Sequence, residues 1–233
     1  MFWKGKVVLK SFREYSEDYV TGIIELGKIR VRNLRRSSQQ GTSPITQLGL
    51  PHSHSKMYKS DGSVFSGIFS HGKANGPGLY VLADGSYYEG EIRDNVAESL
   101  NGIYCCSEYT YEGGFLNNCF NGEGKETGSN HIFKGRFLEG VREFGELKWW
   151  NHPGVEHLYT FYGKFDSQGL FTDEGILTEP TGTYNGCFFE GKKHGEGVYK
   201  FKNNVKYEGE YKMGVKEGKG KVTYQANGEL IYE

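Results

Sequence analysis

Several groups of residues in this 233-residue chain have types and spacings that could do chemistry. His52 and His54 stand one residue apart and could offer two imidazoles to a metal, but such a pair in a loop is more simply read as polar, and no metal site is expected. Lys28, Arg30, Arg32, Arg35 and Arg36 place five cations within nine residues and no acid among them. That run reads first as a solvated edge strand that its charges protect from self-association, and alternatively as a site for an anionic phospholipid surface. Arg35-Arg36-Ser37-Ser38 also has the form of a basophilic kinase site at Ser38. Trp149 and Trp150 are adjacent, with His152 two residues on. Neighbours on a strand point to opposite faces, so one ring at most can enter a core and the other is a candidate anchor for a partner protein.

Catalytic signatures do not emerge. There is no phosphate loop, no His-Glu-x-x-His and no Gly-x-Ser-x-Gly elbow. Glu89, Glu112, Glu208 and Glu210 recur at strand positions that face solvent. The many Gly-x-Gly pairs open no helix. The expectation is therefore a protein without catalytic residues or cofactor, whose partners are other proteins or, on the alternative reading of the basic run, anionic phospholipid. Nucleic acid and small-molecule substrates are not expected.

The elements that must position these residues are written in the stretch from Tyr184 to Tyr232, which states one pattern twice. Tyr184, Gly186 and Phe188 return as Tyr207, Gly209 and Tyr211, and Gly195 and Gly197 return as Gly218 and Gly220, all displaced by 23 residues. Residues i, i+2 and i+4 of a strand share a face, so each unit is a β-hairpin with one face of rings and glycines and one charged face. Strand glycine is costly unless something approaches closely, and a ring lying over it supplies that reason. A lone hairpin is marginal, so the units must stack. Openings recur at Phe65, Tyr88, Tyr111, Phe133, Phe161, Tyr184 and Tyr207. The second strands of the second, fourth and fifth units depart from the pattern, and the fourth carries an insert beginning at Trp149-Trp150.

This pattern of Tyr-x-Gly-x-aromatic followed by Gly-x-Gly resembles the MORN repeat. The resemblance is carried by Tyr184, Gly186, Phe188, Gly195 and Gly197, then by Tyr207, Gly209, Tyr211, Gly218 and Gly220, and covers roughly the last three quarters of the chain. It implies an all-β fold, an elongated antiparallel meander of about seven stacked hairpins over residues 61–233. It also implies a non-catalytic interaction scaffold of the kind found in cytoskeletal, ciliary or basal-body assemblies, since no kinase or SET-type segment follows the repeats. Such a scaffold would be cytoplasmic, at the cytoskeleton or a cilium. Residues 1–60 are expected to form an N-terminal hairpin-like cap, in which Trp3-x-Gly5-x-Val7 echoes a repeat opening, followed by a basic, Ser-rich loop over residues 32 to about 60.

Composition agrees with this division. The chain has 35 glycines but only 5 prolines and no Gly-X-Y period, which excludes collagen, and 35 Phe, Trp and Tyr, too many for disorder. The net charge of −1 hides an asymmetry: residues 1–60 hold 11 basic against 4 acidic side chains, and the remainder is acidic. No apolar run is long enough for a transmembrane helix. Cys105, Cys106, Cys119 and Cys187 have the spacing of neither a zinc site nor a disulfide framework, which fits a reducing compartment.

Overall fold

The computed structural model describes residues 53–150, 158–226 and 229–232. The expected N-terminal cap and the basic run from Lys28 to Arg36 lie outside them. The described residues contain strands, turns and no helix, and fall into two compact units.

The first unit holds β1 (Ser53–Tyr58), β2 (Val64–Ser70), β3 (Lys73–Val81), β4 (Tyr87–Arg93), β5 (Val96–Ala97) and β6 (Ser99–Cys105). Each pairs antiparallel with the next, except that β4 takes both β5 and β6 as one interrupted partner. Strand β7 (Tyr109–Leu116) contributes residues 114–116 to this unit and 109–113 to the other. The second unit continues through β8 (Cys119–Gly128), β9 (His131–Leu138), β10 (Val141–Trp150), β11 (Leu158–Phe165) and β12 (Phe171–Glu179). It ends with β13 (Gly182–Phe189), β14 (Lys192–Phe201), β15 (Val205–Lys212), β16 (Val215–Ala226) and β17 (Glu229–Tyr232). From β8 onward every strand pairs antiparallel with its successor. Both units are thus the all-β meander of hairpins that the repeats imply.

One element differs from expectation. Residues 53–58, read from sequence as the end of a loop, form β1, which sets Met57 opposite Phe65 and Ser55 opposite Gly67. The repeat signature marks only its own hairpins. A strand that covers the outer edge of β2 satisfies backbone groups there without needing that signature.

The strand glycines have two different causes. Tyr184 lies over Gly186 and Gly197 of its own hairpin, so that a Cβ on Gly197 would collide with the ring, and Tyr207 covers Gly209 and Gly220 in the same way. The next hairpin then supplies a second ring edge-on to the first. Tyr211 meets Tyr184 at 5.0 Å and 77°, and Phe188 meets Phe161 at 5.1 Å and 83°. The same contact joins Phe137 to Tyr111 and Phe165 to Phe133, and, within the first unit, Phe115 to Tyr88. The first glycine of the Gly-x-Gly pair is not beneath a ring, which corrects the single explanation drawn from sequence. Gly195 and Gly218 have φ of 65° and 71°, beside a break in register, and are glycines for backbone reasons.

Turns lock the hairpins together at their ends. Among the described residues, six two-residue turns, including Asp94-Asn95, Glu190-Gly191 and Met213-Gly214, have both residues at positive φ, as the tightest hairpins require. The turn residue then donates its N–H to the hairpin before it: Asn95 to the Ala74 carbonyl (3.0 Å), Gly191 to Phe171 (3.0 Å) and Gly214 to Lys193 (2.8 Å). The fifth hairpin turns differently, through Asp166–Gly169, where the Asp166 carboxylate accepts from the N–H groups of Gln168 and Leu170.

A candidate protein-docking surface on repeats four and five

The insert-bearing hairpin places the two tryptophans as strand geometry demands. In β10, Leu147 is buried with the rings and Trp149 follows on that face. Trp149 stacks on Tyr159 at 5.3 Å and 15° and touches Phe171 at 5.8 Å. Trp150 therefore points to the opposite, outer face, opposite Leu158 of β11. Of the pair, Trp150 is the outward ring, though both are half-buried. His152 lies outside the described residues, as do Lys28, Arg30, Arg32, Arg35, Arg36 and His52. His54 is exposed on β1. Glu89, Glu112 and Glu210 are exposed and Glu208 is half-exposed, as expected of a solvated face.

The outer face shows what the sequence reading missed. In the register of β10, β11 and β12, Phe144 stands opposite Lys164, and Tyr162 stands between Glu146 and Ile176. The position one residue after each repeat opening is Ser66, Glu89, Glu112, Lys134, Asn185 or Glu208 elsewhere, and Tyr162 only here. Phe144 and Tyr162 meet edge to face at 5.1 Å, yet remain 37% and 49% exposed, with Ile176 at 41% and Leu158 at 47%. Thr160 and Thr178 lie between these apolar residues, in direct register. The signal was present as a ring at a polar phase of the repeat. It was hidden because an isolated Phe or Tyr among 32 reads as core.

Charges around this face cancel locally. Glu146 pairs with Lys148 at 3.0 Å, Lys164 with Asp173 at 3.0 Å, and Arg136 grips Glu143 through two bonds of 2.7 and 3.0 Å. On the ring face two further polar groups are internally satisfied. Glu126 occupies a phase that holds Tyr199 or Leu177 in other hairpins, and accepts from His131 Nε2 (2.7 Å) and Arg142 Nη2 (2.6 Å). Burial pushes its carboxyl up, but these two donors outweigh it and hold the group below the ordinary carboxylate value. Glu179 likewise binds Lys193 at 2.7 Å and accepts from the Tyr199 hydroxyl at 3.1 Å. These are closed networks whose members are occupied with one another. No cluster of metal-ligating groups occurs among the described residues.

The MORN repeat family matches residues 65–87, 111–132, 184–206 and 207–228. No curated protein matches the chain. The matched segments are the first, third, sixth and seventh hairpins, and the fourth and fifth, which carry the exposed apolar residues, fall between them. MORN repeats are generally modules for interaction with proteins and membranes. The ring-over-glycine hairpins and these four matches together show that the chain carries MORN repeats.

Proposed function

We propose that this protein is a non-catalytic scaffold that docks partner subunits of a cytoskeletal or ciliary assembly, and that the outer face of repeats four and five is where docking occurs. One observation carries the reading: Phe144, Tyr162 and Ile176 form a contiguous exposed apolar strip on a face that is otherwise largely polar. Apolar side chains there add nothing to hairpin stacking, which uses the other face, and exposed patches of this kind mark interaction surfaces. The test is quantitative affinity purification of the full chain against the triple variant Phe144→Ser, Tyr162→Ser, Ile176→Thr. Loss of the co-purifying subunits with an unchanged melting temperature supports the reading, and retention of the full set refutes it.

A second reading rests on the basic run. Five cations at Lys28, Arg30, Arg32, Arg35 and Arg36 would contribute about 1 kcal/mol each at an anionic lipid surface, weakening with salt. Sedimentation with phosphatidylserine vesicles tests it: replacing the four arginines by Ser should abolish binding. No binding by the wild type at low salt removes it.

A further inference from the structure

The structure assigns a chemistry to the occupant of the outer face: we infer that an amphipathic α-helix of a partner protein lies along β11, its apolar stripe on Phe144, Tyr162, Ile176, Leu158 and Trp150. This rests on the docking reading above and adds to it the form of the partner.

Four observations narrow the occupant. First, β11 pairs with β10 on one side and β12 on the other, so its backbone groups are already in use. An extended segment could not add to the sheet here and would lie across it with its own N–H and C=O groups unpaired. A helix satisfies those groups internally. Second, the area is small. At the exposures given above, the four most accessible side chains offer on the order of 300 Å². A stable dimer needs about 800 Å² from each partner, so a second copy of this chain is too large an occupant for the strip. Third, the flanking charges are self-paired, Glu146 with Lys148 and Lys164 with Asp173, which selects a partner face that is apolar and uncharged, and disfavours a lipid surface. Fourth, the strip has a direction. Phe144 is in the row of Lys164, Tyr162 and Ile176 share the next, and Leu158 and Trp150 share the last. Six residues of strand span about 20 Å. That is the length of about 13 helical residues, or nearly four turns.

The experiment uses strand β11 as a ruler. Thr160 and Lys164 share the outer face on either side of Tyr162 and are separated by about 13 Å along the strand. A photo-crosslinking amino acid is placed at each position in the full chain, and the adducts formed in cells are mapped by mass spectrometry. A helix along the strand gives two adduct sites in one partner segment about nine residues apart, because helical rise is about 1.5 Å per residue. Tyr162→Ser should reduce both adducts about tenfold. Adduct sites about four residues apart show an extended partner and overturn the helix. Adducts to this chain's own peptides show a second copy, and adducts to lipid show a membrane; either overturns it as well. If partners co-purify but no adduct forms, docking occurs elsewhere and the helix falls while the scaffold reading stands. If neither adduct nor partner is recovered, both fall.

Discussion

Replacing Gly197 by alanine tests the packing logic of the repeat, because two effects oppose and the structure says which wins. Alanine is the better strand former, and by backbone entropy alone the change would stabilise by about 0.5–1 kcal/mol. Against this, a Cβ at Gly197 would overlap the Oη, Cε2 and Cζ atoms of Tyr184. The ring cannot swing aside. Tyr184 is 0% exposed, meets Phe188 edge-on at 5.2 Å and Tyr211 at 5.0 Å, and donates its hydroxyl to the Cys187 carbonyl at 3.0 Å. Overpacking of a closed site costs about 1–3 kcal/mol, and an immovable ring puts this site at the upper end. Gly195, two residues earlier, is the control. A Cβ there would meet only the Cys187 Cβ at 3.7 Å, but φ is 65°, so alanine costs about 1 kcal/mol of left-handed strain. At about 2–4 °C per kcal/mol for a chain of this size, Gly197→Ala should melt about 6–12 °C below wild type and Gly195→Ala about 2–4 °C below. Thermal melts followed by circular dichroism decide it. Gly197→Ala at or above wild type, or the reverse order of the two variants, refutes the ring-over-glycine account.

Other outcomes follow from the buried polar groups and the tryptophans. Glu126→Gln leaves the Arg142 guanidinium buried without its anion and should cost about 3 kcal/mol at neutral pH in a denaturant titration. Because the folded carboxyl titrates below its ordinary value of 4.5, its stabilisation is present above that pH and lost as pH falls through the folded value. The gap between wild type and Glu126→Gln should therefore narrow below pH 4.5, and a gap that widens there contradicts the assignment. Tyr211 is the one residue of its repeat position to carry a hydroxyl on a buried ring; that hydroxyl has no hydrogen-bond partner, and burial raises it to about 12. Tyr211→Phe should be neutral or stabilising by about 1 kcal/mol, and a destabilised melt would show that the hydroxyl is held. Trp149→Ala should lower stability by about 2 kcal/mol through loss of the Tyr159 stack. Trp150→Ala should leave the melt unchanged and weaken partner recovery by about 2 kcal/mol, and the opposite pattern would exchange the two roles.

Much of the fold is legible in the residues because the repeat is written in side chains that have one physical use. A Tyr two residues before a Gly and four before another ring is a strand with a ring face, and the 23-residue offset fixes the stacking. What escaped was whatever the repeat does not need. β1 has no signature of its own and is a strand because β2 has an edge. Gly195 and Gly197 are identical in sequence, and only backbone angles separate the one that bends the strand from the one that lies beneath Tyr184. The docking face was half visible. Adjacency alone showed that Trp149 and Trp150 could not share a face, but the outer partner of Trp150, Leu158, comes from β11. Tyr162 and Ile176 join Phe144 only once register is known.

On the docking reading, the outer strip of repeats four and five is covered by a partner in the assembled state. Hydroxyl-radical footprinting of the purified chain and of the natively isolated assembly measures this directly at Tyr162 and Phe144, which are 49% and 37% exposed in the free chain. Oxidation at both rings should fall about tenfold in the assembly, while exposed Tyr224, on a different hairpin, stays reactive. Equal oxidation of Tyr162 and Phe144 in the free and assembled protein would contradict the account.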